Sequence, residues 1–146
     1  MKSENCIDEY TSFGQIADDP ISRCPEREAI IFEGERITYG QLGTLINQTE
    51  HYMQRIGIHR GSMVAIISRN CPECIITELA LYRLGAVAVK VNWRLTPGEM
   101  AYMLEMNKVT HAFYQPEKTS GERNYADALV LPFALLSCWA GRDVPV

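Results

Sequence analysis

Cys71 and Cys74 stand three apart in "SRNCPEC" (Ser68–Cys74), the spacing of a dithiol redox pair or half of a zinc site. A structural zinc ion needs four ligands, and His51, His59 and His111 show no ligand spacing relative to the pair. A redox role draws on another property, since thiols at the start of a helix ionise more readily than free cysteine. The local pattern also offers a plainer reading: Asn70 as N-cap, Pro72 in the first turn and Glu73 at the capping-box position make the motif a helix start. Further along, Arg94 in "NWRLTPGEM" follows a strand-like run. In open α/β sheets ligands sit at the carboxyl ends of strands, and a guanidinium fork suits phosphate oxygens. The competing role is a solvated loop arginine, or one paired with Glu99 or Glu105. Trp93 reads as a packing residue, Asn92 as a turn former, and His51 and His59 as surface residues. Tyr39 and Glu78 show no neighbours in sequence that would suggest acid–base work.

The elements that must position these residues follow from pattern. "REAIIFEGERITY" predicts a hairpin, Ala29–Phe32 and Arg36–Thr38, turning through 33–35. Thr38 and Gln41 make a capping box for a helix whose apolar stripe runs Leu42, Leu45, Ile46, Thr49, Met53 and Ile56, with Gly57 as the stop. Val64–Ile67 is an unbroken apolar run, as in strands covered on both faces. The helix after Asn70 is expected to bury Ile75, Ile76, Leu79, Ala80 and Leu84 and to end at Gly85. Ala86–Val91 is a second buried-type strand. Thr96, Pro97 and Glu99 then open a third helix, with Met100, Met103, Leu104 and Asn107 at helical spacing. Thr110–Tyr114 is a third strand candidate. Strands alternating with helices mean a parallel sheet with right-handed crossovers. The fold class is therefore α/β, a partial parallel sheet with flanking helices and an N-terminal β-hairpin. Lys90, inside the second strand, must snorkel or find a carboxylate.

Composition limits the function classes. A chain of 146 residues holds one core, and 47% apolar with 22% charged residues is ordinary for a globular protein. The net charge is −4 and the basic residues are scattered, which argues against a nucleic-acid surface. The opening "MKSENCIDEY" lacks the apolar run of a secretory signal. The longest apolar stretch, Leu129–Ala140, is shorter than the roughly 20 residues of a membrane span. Five cysteines without a small-domain framework suggest reduced thiols and a cytoplasmic protein.

Three stretches carry a resemblance: "ITYGQL" (Ile37–Leu42), "RNCPECI" opening a helix, and "LYRLGAVAVKVNWRLTPGEMAYML" (Leu81–Leu104). In order and spacing they resemble the start of adenylate-forming (AMP-binding) enzymes, closest in look to acyl-CoA synthetases. The resemblance divides the chain into an N-terminal extension (1–27), the start of the AMP-binding domain (28–117) and a tail without family likeness (118–146). It implies an AMP-forming acid–thiol ligase of the kind used in fatty acid metabolism. ATP, magnesium and coenzyme A are implied for the intact enzyme, and Arg94 as a contact to a phosphate of coenzyme A. Lys90 departs from the family, which usually has an apolar residue or proline there.

The family's phosphate loop, its Thr-Glu motif near the metal, its ribose-binding Asp and its C-terminal lysine have no counterpart in this sequence. "KTSGERN" (Lys118–Asn124) has one glycine, too few for backbone N–H groups to converge on phosphates. The expectation is a fragment that is inactive alone, with no catalytic or metal residues and no cofactor of its own. Its expected partner is the missing remainder of the ligase or a homologue, or another copy through an exposed sheet edge. Two other classes stay open: a non-catalytic interaction module, and a small redox protein using Cys71 and Cys74.

Overall fold

The computed structural model describes residues 13–115 and a strand at Ala134–Ser137. A short 3-10 turn (Phe13–Gln15) leads to α1 (Asp18–Arg23), β1 (Glu28–Phe32), β2 (Glu35–Thr38) and α2 (Tyr39–Arg55). Then β3 (Met63–Ile67), α3 (Pro72–Leu84), β4 (Val87–Val91), α4 (Pro97–Met106), β5 (His111–Tyr114) and β6 (Ala134–Ser137) follow in turn.

The hairpin forms as its sequence predicts. β1 and β2 pair antiparallel, and Glu33 and Gly34 both take positive φ, 47° and 87°. That is the backbone of a tight two-residue hairpin turn, which glycine adopts at no steric cost. α2 starts on the expected box: Gln41 N–H donates to Thr38 Oγ1 at 3.3 Å, and Thr38 N–H donates to Gln41 Oε1 at 2.9 Å. Leu42, Ile46 and Met53 of its stripe are buried, with Leu45 and Ile56 packed beside them.

β3, β4 and β5 form the expected parallel sheet, with β3 in the middle and β6 added outside β5, in the order β4-β3-β5-β6. The fourth strand lies in the tail, where the sequence shows no sustained periodicity. The two faces of β3 carry two cores. Val64 and Ile66 pack with α2 and α3, through Ile46, Ile76, Ala80 and Leu81. Ala65 and Ile67 pack with α4, through Met100 and Leu104. The alternation of side chains along one strand thus separates α3 and α4 onto opposite faces, which is where right-handed crossovers to strands on either side of β3 must place them.

Two expectations for α3 are corrected. Its N-cap is Cys71 with no side-chain cap bond, so Asn70 does not cap. Asn70 is one residue too early, because Pro72 takes the first helical position. Ile75 is 43% exposed, while Cys74, Thr77 and Leu81 are buried in its place. The inward stripe is rotated because α3 is covered by the sheet on one side and α2 on another. Gly85 ends the helix at φ 68°, as expected. Residues 13–23, placed in an extension by sequence, dock on the helices. Phe13 lies 6.0 Å from the Tyr82 ring, and Arg83 joins Asp18 of α1 to Asn47 of α2.

Candidate functional site at the carboxyl ends of β3 and β4

The register pairs Ile67 of β3 with Val91 of β4, so both strands end abreast. From there the chain departs to opposite faces, into α3 and into α4. A crevice opens between neighbouring strands whose connections diverge in this way, and ligands of open α/β sheets occupy it. Its walls are the loops 68–71 and 92–96.

The first loop is held from below. Gln115, just after β5, accepts hydrogen bonds at Oε1 from Arg69 N–H (3.2 Å) and Ser68 Oγ (3.3 Å). The second loop is an Asx turn: Arg94 N–H donates to Asn92 Oδ1 at 3.0 Å, and Leu95 N–H to the Asn92 carbonyl at 3.2 Å. The turn role expected of Asn92 is what the structure shows. Beyond it α4 opens on the expected box, with Glu99 Oε2 accepting from Thr96 N–H (2.8 Å) and Oγ1 (2.7 Å).

Trp93 packs against the α4-side core, as expected of a packing residue. It is also a platform, which sequence reasoning did not assign. The Arg94 guanidinium carbon lies 5.0 Å from its ring centroid, and that of Arg69 lies 4.4 Å away. Both arginines are exposed. Arg94 therefore rests on Trp93 and not on Glu99 or Glu105. Each such contact is worth about 0.5–1 kcal/mol at an exposed site, enough to bias the side chain without locking it. Arg69 was missed because the two loops are 24 positions apart in sequence; the β3–β4 adjacency is the signal that joins them.

The cysteine pair sits behind this rim. Cys71 and Cys74 are free and buried, 8% exposed each. Burial pushes both thiols above the ordinary value, and this outweighs the bond between Ser68 Oγ and Cys71 Sγ at 3.4 Å. A nucleophilic redox thiol has the opposite shift. Among the described residues, no three or more His, Cys, Asp or Glu side chains are grouped to hold a metal ion.

Lys90 finds the carboxylate its position demands. Its Nζ lies 2.6 Å from Glu78 Oε2, and Tyr82 Oη donates to Glu78 Oε1 at 2.6 Å. Glu78, read in sequence as having no constellation, thus joins α3 to β4. The accepted hydrogen bond pushes Tyr82 up to about 12, and the same carboxylate raises Lys90. These are structural shifts, since the oxygen lone pairs are already engaged. His51 and His59 are exposed as expected, and Lys118–Asn124 lies outside the described residues.

The chain has relatives. The family model for AMP-binding enzymes matches residues 18–134. A medium/long-chain-fatty-acid–CoA/3-oxocholest-4-en-26-oate–CoA ligase of Mycolicibacterium smegmatis is 32% identical over 123 residues, 83% of this chain and 21% of that protein. The N-terminal subdomain of Klebsiella oxytoca NpsA in complex with 3-hydroxybenzoyl-AMSN superposes with a TM-score of 0.76 at 25% identity, over 87% of this chain and 30% of that one. The N-terminal domain of Mycobacterium tuberculosis FACL13 matches with a TM-score of 0.69 at 26% identity, over 73% of this chain and 28% of that one. The chain spans about a fifth of the length of the curated relatives it matches. With β1–β5, the four helices and the N-x-R-L-T-P-x-E loop all in the matched region, the chain belongs to the AMP-binding enzyme family and corresponds to the N-terminal portion of an adenylate-forming enzyme.

Proposed function

We propose that this chain supplies the first part of an ATP-dependent, AMP-forming acid–thiol ligase of the cytoplasm, and that residues 1–146 alone do not adenylate. In the whole reaction a carboxylate attacks the α-phosphorus of ATP and pyrophosphate leaves; a thiol sulfur then attacks the acyl carbon and AMP leaves. The first step needs charge stabilisation on the departing pyrophosphate, which is the largest catalytic term in such chemistry. The described residues offer no carboxylate cluster for magnesium, so no step is assigned to that ion. They do fit a phosphate contact.

The observation that carries the reading is the loop Asn92–Glu99. It stands at the carboxyl ends of β3 and β4, fixed at one end by the Asn92 turn and at the other by the α4 cap, and presents Arg94 to solvent. Arg94 is assigned to a phosphate of coenzyme A in the intact enzyme. Residues 28–117 form the start of the AMP-binding domain, with 1–27 preceding it and 118–146 as its tail. Partners follow from the sheet: β4 is an edge strand among the described residues and Val87 on it is 44% exposed, so the remainder of a ligase, or a second copy, pairs there.

ATP–pyrophosphate exchange tests the reading. The chain alone should show none, and co-expression with the carboxyl-terminal remainder of a homologous ligase should restore it. In that restored enzyme R94Q should raise the KM for coenzyme A and leave the exchange half-reaction unchanged. Exchange by the chain alone would overturn the inactivity, and an unchanged KM would remove Arg94 from the site.

A further inference from the structure

We infer that Gln115 is a positioning residue of the crevice: it holds the loop after β3 against Trp93 and so fixes the rim that presents Arg94. The inference rests on the proposed function only for the ligand, coenzyme A. The parallel strands β4, β3 and β5 lie side by side and end abreast, at Val91, Ile67 and Tyr114. Ladder hydrogen bonds stop where strands stop, so the polar groups of each loop beyond them need other partners. Gln115 stands directly after β5, and its backbone N–H extends the ladder by donating to the Ile67 carbonyl at 3.0 Å. Its side chain then reaches across the end of β3. There Oε1 accepts from Arg69 N–H at 3.2 Å and lies 3.3 Å from Ser68 Oγ.

Of these two bonds the one from Arg69 decides. A serine hydroxyl has a single hydrogen, and that of Ser68 lies closest to the Arg69 carbonyl, at 2.7 Å. The Arg69 backbone N–H can only donate, so the atom of Gln115 that faces it must be the side-chain oxygen and not the amide nitrogen. The next link is the Arg69 guanidinium, 4.4 Å from the Trp93 ring centroid. Trp93 is seated on the α4-side core, and Arg94 follows it on the Asn92 turn. Gln115, Arg69 and Trp93 thus join the loops of β5, β3 and β4 in one row. Gln115 is exposed, so it fills no core and its replacement leaves no cavity. What it contributes is order in the rim before a ligand arrives, which lowers the entropy lost on binding.

Q115M and Q115E test this, first in the 146-residue chain without any ligand. The readouts are amide exchange at Arg69 and Trp93 emission, the latter in a W139F background that leaves Trp93 as the one tryptophan. Q115M should speed Arg69 exchange about three- to tenfold, the scale of one neutral hydrogen bond, and change Trp93 emission. The amides of Leu42–Leu45 in α2 should stay protected, which separates a loosened rim from a lost fold. Q115E should behave as wild type, because a carboxylate oxygen accepts the same bond. In the ligase restored by co-expression, Q115M should raise the KM for coenzyme A about three- to tenfold and Q115E should recover it. The ATP–pyrophosphate half-reaction, which coenzyme A does not enter, should keep its rate. Unchanged Arg69 exchange and emission in Q115M would overturn the inference, as would a KM raised equally in Q115M and Q115E. A KM raised by R94Q but not by Q115M would keep the coenzyme A reading and overturn the inference. If instead Q115M loosens the rim and Q115E restores it while R94Q leaves the KM unchanged, Gln115 keeps its role and the coenzyme A reading falls.

Discussion

Acidification should loosen the start of α4 and leave the start of α2 in place. Both helices open on a capping box, Thr38 with Gln41 and Thr96 with Glu99. The hydrogen bonds match in kind, but only Glu99 titrates. The Thr96 backbone N–H and then its hydroxyl, both donating to the carboxylate, hold Glu99 below its ordinary value of 4.5. A group whose folded pKa is depressed contributes stability that is present above its unfolded pKa and lost as pH falls through the folded one. The loss therefore begins as pH drops below the ordinary glutamate range. Thr96→Ala removes the cap at any pH and should cost about 1 kcal/mol, which opens the first turn of α4 roughly fivefold more often. Thr38→Ala should cost a similar amount in α2 without any acid dependence. Amide hydrogen exchange reports both, as protection factors at Met100–Met103 and at Leu42–Leu45 measured from pH 6 downward. E99Q should make α4 behave like α2. The reasoning fails if both helices lose protection together, or if E99Q keeps the acid step.

Other outcomes follow from the packing. Leu104→Ala, at a side chain 1% exposed in the α4-side core, should cost about 2–5 kcal/mol in a denaturant melt, whereas Ile75→Ala on exposed α3 surface should stay within about 1 kcal/mol. Cys71 and Cys74 should react with a disulfide reagent more slowly in the folded chain than in the unfolded one at pH 8, because burial raises both thiols; fast reaction would revive the dithiol reading. E78Q should bring the Tyr82 phenol down from about 12 towards its ordinary value of 10, followed by phenolate absorbance. Because Tyr82 is raised in the fold, its contribution is present below pH 10 and lost as pH rises through the folded value. An unchanged titration would show that burial and not Glu78 sets it.

Local chemistry was legible in sequence wherever the physics is local. Thr38 with Gln41, and Thr96 with Pro97 and Glu99, announce helix starts through bonds that span three residues. The Glu33–Gly34 turn and the Gly85 stop are also short-range, each set by a backbone conformation that few residues adopt. Asn70 shows the limit of that method: a good cap residue one position early loses to the geometry imposed by Pro72. The inward face of α3 was misjudged at Ile75 because periodicity fixes a stripe, while the neighbours decide which way the stripe points. β6 was not legible for a related reason. Its partner β5 lies about twenty positions earlier in the chain, and four residues are too few for a period to show.

The site itself depends on strand order, and strand order is the quantity a single sequence withholds. Arg94 could be singled out from its own loop, since it follows β4 and precedes a capped helix. Arg69 could not, because nothing in "SRNCPEC" names its neighbour. Once β3 and β4 are adjacent and parallel, with Ile67 abreast of Val91, Arg69 two residues after β3 comes beside Trp93 two residues after β4, with Arg94 next to it. Lys90 and Glu78 obey the same logic on the other side of the strand. Position 90 pairs with Ile66 and so faces α3, where Glu78 is the carboxylate within reach. The lysine is tolerated there because α3 carries its partner. One adjacency thus produces both the arginine-rich rim and the buttress behind it, so breaking the β3–β4 register by a single residue would dismantle the two together.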